Sequence, residues 1–97
     1  MKYAFHPEAA DEYAETVAYY KSLRTELGMR FDKAIKSVIA SACELPARYR
    51  LELPPTIHKG RVQGFPYNVI FREVEDGIQI LAVAHHRRRP LYWLGRV

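Results

Sequence analysis

The sequence predicts an α+β domain of order β-α-α-β-β-β, with a helical hairpin packed on a mainly antiparallel sheet. Three observations predict it. Apolar residues recur at helical spacing through the first half of the chain. That periodicity ends at Pro46, ahead of which helix is disfavoured. Beyond residue 57 three strand-like runs follow, two of them joined by Glu75-Asp76-Gly77.

Tyr3 and Phe5 alternate with Lys2 and Ala4, which fits a short first strand. Pro7 suits the first turn of a helix, where its missing N–H is not needed. Glu8, Asp11 and Glu12 place negative charge at the positive end of the helix dipole. Ala10, Tyr13, Ala14, Val17 and Tyr20 share helical spacing, so a helix is expected over 8–23. Gly28 reads as the breaker. Phe31, Ala34, Ile35, Val38 and Ala42 repeat again, giving a second helix over 29–44 and an antiparallel hairpin.

Residues 46–56 contain Pro46, Pro54 and Pro55 and read as an irregular loop. Strands are expected at 57–63, 65–74 and 78–85. The last run, Ile78 to His85, is nearly all apolar, which predicts a strand covered on both faces. With 97 residues the chain is expected to be a single domain, 1–97.

Composition narrows the function. A hydrophobic share of 48% excludes disorder as the default state. No apolar run approaches the roughly 20 residues of a membrane span, and the opening residues lack a signal-peptide core. Cys43 is the single cysteine, so no internal disulfide is possible. These features point to the cytoplasm. Residues 1–49 hold seven Lys/Arg and seven Asp/Glu, whereas residues 50–97 hold eight and four, so the whole net charge of +4 sits in the second half. Such asymmetry fits a polyanion or an acidic partner; a solvated basic face is the plainer alternative.

Several stretches carry a family resemblance. They are Phe5-His6-Pro7-Glu8-Ala9, Leu27-Gly28-Met29-Arg30-Phe31, Gly64-Phe65-Pro66-Tyr67 and, above all, the segment from Ile80 through His85-His86-Arg87-Arg88-Arg89-Pro90 to Tyr92-Trp93. Together they resemble the RelE/ParE toxins of type II toxin–antitoxin pairs, some of them described as plasmid-stabilisation proteins. The resemblance covers nearly the whole chain. It implies a cognate antitoxin as partner, and is compatible with a homodimer or a toxin–antitoxin hetero-oligomer. RelE-like members cut mRNA in the ribosome; ParE-like members inhibit DNA gyrase.

RelE-like cleavage needs basic groups that activate a 2′-hydroxyl and stabilise phosphate charge, and needs no metal. By resemblance, Lys59, Arg61, Arg88 and Tyr92 match four members of that set. The fifth fails, because Asn68 stands where RelE carries an arginine, and asparagine brings no charge to a phosphate. Arg72, four residues along the same strand, and His85 are possible substitutes. His85 could also serve as general acid or base, or simply end the strand. Adjacent strand residues face opposite sides, so His85 and His86 make a poor chelating pair and no metal or cofactor is expected.

Arg87, Arg88 and Arg89 form the densest positive charge in the chain and suit an acidic partner or phosphates. Trp93 either anchors a partner beside them or pins the tail to the core. The resulting expectation is a ParE-like toxin that acts on DNA gyrase by binding. The alternatives are a ribosome-dependent nuclease and a degenerate toxin that only binds its antitoxin.

Overall fold

A computed structural model describes residues 2–97. Strand β1 (Lys2–Phe5) leads through His6 into helix α1 (Pro7–Leu23). His6 caps that helix, its Nδ1 accepting the Glu8 N–H at 3.1 Å. Helix α2 (Thr25–Glu44) follows after one extended residue, Arg24. The expected start at residue 29 is therefore four residues late. Gly28 is not a breaker but lies in the first turn of α2, where a Cβ would sit 2.2 Å from Lys21 Cγ. The glycine lets the two helices approach, and the reversal is made by Arg24 alone.

The 46–56 segment is more regular than expected. It holds a 3-10 turn (Pro46–Arg48) and a strand, β2 (Arg50–Leu53). Strands β3 (Ile57–Arg61), β4 (Tyr67–Val74) and β5 (Gly77–His85) complete a five-stranded sheet of order β1-β5-β4-β3-β2. The observed order is thus β-α-α-β-β-β-β. All pairings are antiparallel except β1 with β5. Gln63 and Gly64, the latter at φ +85°, turn the chain between β3 and β4, so both strands are shorter than expected at this end.

The Glu75–Asp76 turn joins β4 to β5, and no residue in it has positive φ. Gly77 is instead the first residue of β5, where a Cβ would lie 1.8 Å from the Lys2 carbonyl oxygen. The glycine foretold by the turn signal serves the close approach of β1.

Both helices cover one face of the sheet. Phe31, Ile35 and Val38 of α2 pack there against Val69, Phe71, Ile78, Ile80 and Val83. The other face has a smaller cluster of Ile57, Ile70, Leu81, Ala82 and Ala84, roofed by Trp93. Leu81 is the extra residue of a bulge, since Ile70 pairs with Ala82 while Phe71 pairs with Ile80. The bulge turns both Leu81 and Ala82 toward the Trp93 side. As expected, β5 is covered on both faces.

Candidate functional site: the open sheet face and the C-terminal tail

Alternation along β3 and β4 sends Ile57, Lys59 and Arg61, with Asn68, Ile70 and Arg72, away from the helices. Pairing sets Arg61 opposite Asn68, Lys59 opposite Ile70 and Arg50 opposite Lys59. Arg50, Lys59, Arg61, Asn68 and His86 thereby line one recess of about 430 Å³. None of these five is a carboxylate. Lys59 is held by Glu52 at 3.4 Å.

A second, smaller pocket of about 130 Å³ brings His85 together with Lys59, Asn68, His86, Arg88 and Tyr92, with Glu52 also on its wall, whereas Arg72 lies apart from both. The His85 ring packs edge-on against Tyr67 at 5.0 Å, and its Nδ1 accepts the Arg87 N–H at 3.0 Å. Arg72 shares the Asn68 face but sits four residues along, roughly 13 Å away. Its Nε donates to Gln79 at 2.8 Å.

The tail after β5 folds back over the sheet. Leu91 takes the left-handed conformation at φ 61°, which reverses the chain and seats Trp93, 2% exposed, on the apolar cluster. Trp93 thus pins the tail to the core, and its ring does not face solvent as a partner anchor. Arg87, Arg88 and Arg89 remain exposed, with the Arg88 guanidinium 3.8 Å above the Tyr92 ring.

Tyr92 belongs to a network centred on Glu12. Its hydroxyl donates to Glu12 Oε2 at 2.8 Å. Arg96 donates to both Glu12 oxygens at 2.9 Å and to the Leu81 carbonyl at 2.9 Å. The Val83 N–H donates to Glu12 Oε1 at 3.0 Å. The network closes an edge. Strand β1 departs after His6 donates to the Ile80 carbonyl, so the next outward backbone groups of β5 would be bare. Glu12 and Arg96 satisfy them.

The electrostatics follow from this geometry. Burial pushes the Glu12 carboxyl up, but hydrogen bonds from Arg96, Val83 and Tyr92 outweigh it and leave it below the usual range. Burial and the hydrogen bond to Glu12 raise the Tyr92 phenol well above its ordinary value. The hydrogen bond to Glu12 raises Arg96 further. Among the described residues no group of three His, Cys, Asp or Glu converges as a metal site.

Sequence reasoning treated Glu12 only as a helix-end charge and passed over Arg96. No local spacing links two residues 84 positions apart. The available signal was weak: Glu8 and Glu12 one turn apart on α1, both of which meet Arg96.

A family model for the ParE toxin of the type II toxin–antitoxin system parDE matches residues 3–90. Among solved structures, one titled as a chromosomal ParDE toxin–antitoxin system from P. aeruginosa is similar in fold, with a TM-score of 0.71. It is 18% identical over 88% of this chain and 95% of that one. No curated protein sequence matches. No helix among the described residues is long and apolar enough to cross a membrane. With the family model spanning nearly the whole β-α-α-sheet frame and the arginine-rich turn that follows it, this chain belongs to the ParE toxin family.

Proposed function

We infer that this chain is a growth-inhibiting toxin that acts on DNA gyrase by binding, without chemistry of its own, and is neutralised by a cognate antitoxin. The observation that carries the reading is the state of Tyr92. A tyrosine that assists RNA cleavage must offer its hydroxyl to the reacting groups. Here that hydroxyl is donated to Glu12, and burial beside a carboxylate holds it protonated. Asn68 in place of a cation, and Lys59 neutralised by Glu52, point the same way. Loss of one preorganised charge-stabilising donor costs about 10²–10³-fold in rate elsewhere.

The antitoxin is expected to reach Arg87, Arg88 and Arg89 with an acidic segment, where opposite charge steers encounter and sets register. The test is a gyrase supercoiling assay beside a ribosome-dependent cleavage assay. The reading expects impaired supercoiling and intact mRNA. Codon-dependent cutting that is lost in Lys59→Ala or Arg61→Ala, with normal supercoiling, would overturn it.

A further inference from the structure

Besides the arginine turn, the molecule carries a cationic groove of about 940 Å³ where α2 passes the edge of the sheet. Arg30 and Lys33 line it from α2, Arg48 lines it from the 3-10 turn, and Arg50, Lys59 and Arg61, which leave the sheet on the face away from the helices, line it at the β2–β3 edge. No carboxylate lines it. Arg48 pairs with Glu44 and Lys59 with Glu52, but Arg30, Lys33, Arg50 and Arg61 make no ion pair among the described residues. The groove shares Arg50, Lys59 and Arg61 with the smaller recess. It exists because β2 stops short. Arg50 pairs with Lys59, and no strand lies beside Arg61. Like charges gathered along one groove repel, so the arrangement favours an anion that fills it.

We propose that this groove binds the phosphodiester backbone of a single-stranded nucleic acid, without cutting it. The alternative occupant of a basic groove is an acidic peptide, and the lining favours the nucleic acid. Peptides that dock in grooves are held by apolar anchors inserted into pockets. Its apolar members are all committed to the fold: Val38 and Phe65 are 6% and 9% exposed, and the half-buried Ala34 and Tyr49 pack against the same core. Tyr49 is left as an aromatic edge at the groove, of the kind on which bases stack. What the groove offers beyond its cations and this edge is Ser37, Ser41 and Gln63. Arginine, lysine, serine and glutamine side chains are the usual donors to phosphate oxygens. The proposal goes beyond the gyrase reading and does not depend on it, because it concerns binding in the absence of gyrase.

Counterion release gives the expected size. If the four unpaired cations each meet one phosphate, the slope of log K against log salt is about −0.7 per phosphate, near −2.8 in all. Raising salt from 50 to 200 mM then weakens binding about 50-fold. Replacing two of the four removes a slope of about 1.4, which is roughly 25-fold at 0.1 M salt.

The experiment is fluorescence anisotropy of the whole chain with labelled 12-nucleotide DNA and RNA strands and with a 12-residue polyglutamate. The groove variant R50Q/R61Q is compared with K2Q/R24Q, which removes the same charge outside the groove. Circular dichroism confirms that both are folded. The proposal expects the groove variant to lose about 25-fold and the control only a few-fold, with a salt slope near −3 for the parent chain. A preference for DNA or RNA identifies the natural strand, and either result supports the site. Equal losses in the two variants would overturn the proposal. So would no oligonucleotide binding at 50 mM salt, or polyglutamate binding more tightly than either strand with the same dependence on Arg50 and Arg61.

Discussion

Replacing Glu12 with alanine should unfold this protein more readily than any other single change on α1. Glu12 is 16% exposed in its side chain and Arg96 is 10% exposed. The substitution strands three donors at once: the Arg96 guanidinium, the Tyr92 hydroxyl and the Val83 N–H. Glu8, at 3.3 Å and 63% exposed, is a poor substitute partner for Arg96. Removing one member of a buried, hydrogen-bonded ion pair costs about 3–5 kcal/mol. A domain of this size holds about 5–15 kcal/mol in total, so the midpoint should fall on the order of 15 °C.

Glu8→Gln is the control. It removes a charge from the same arginine at an exposed site and should cost less than about 1 kcal/mol. The effect also carries a pH signature. The folded Glu12 carboxyl lies below its ordinary value of 4.5. Its contribution is therefore full above about pH 4.5 and is lost as pH falls through the folded value. Urea or thermal unfolding of the parent chain and Glu12→Gln, from pH 3 to pH 7, reads this directly. The gap between them should be widest at pH 7 and narrow under acid. A Glu12→Ala midpoint within about 2 °C of the parent, or a gap that does not shrink with acid, would refute the reasoning.

Three further outcomes are expected. Gly77→Ala drives a Cβ into the Lys2 carbonyl, so β1 should detach from β5, seen as fast amide exchange at residues 3–5. Trp93→Ala should cost about 3–5 kcal/mol in chemical denaturation, because it unroofs Ile57, Ile70 and Leu81. Replacing Arg87, Arg88 and Arg89 together with alanine should change the unfolding midpoint little, since all three are exposed, yet abolish toxicity or antitoxin binding in growth and co-purification assays.

The parts legible in the sequence were those whose signal is periodic and buried. Helix α2 presents Phe31, Ile35, Val38 and Ala42 to the core, and β5 buries both faces, so each advertised itself. Strand β2 did not. It is a four-residue edge strand with Arg50 and Leu51 exposed, held chiefly by backbone bonds to β3. Backbone pairing on one side leaves little imprint on side-chain choice. The start of α2 was misplaced for a related reason. Gly28 is small because α1 lies against it, and a packing glycine looks like a breaker when its neighbour is unseen. The basic recess was partly legible, since Lys59 and Arg61 follow strand alternation. Its third cation, Arg50, depended on the unseen β2. The Glu12 network was hidden because it unites the first helix with the last turn.

That union has a consequence for how the protein is made. The helical hairpin can form from local contacts as soon as residue 44 is available, but Glu12 lacks its charged partner until Arg96, 84 residues after it, has been synthesised. At about 5–20 residues per second that is a wait of roughly 4–17 s. Strand β1 waits similarly for residues 77–80. A nascent chain therefore carries its helices early and its finished sheet edge last. Chains cut short before Arg96 leave the Leu81 carbonyl without its donor, so an interrupted round of translation yields a fragment whose β5 edge is open to pairing or proteolysis at that point.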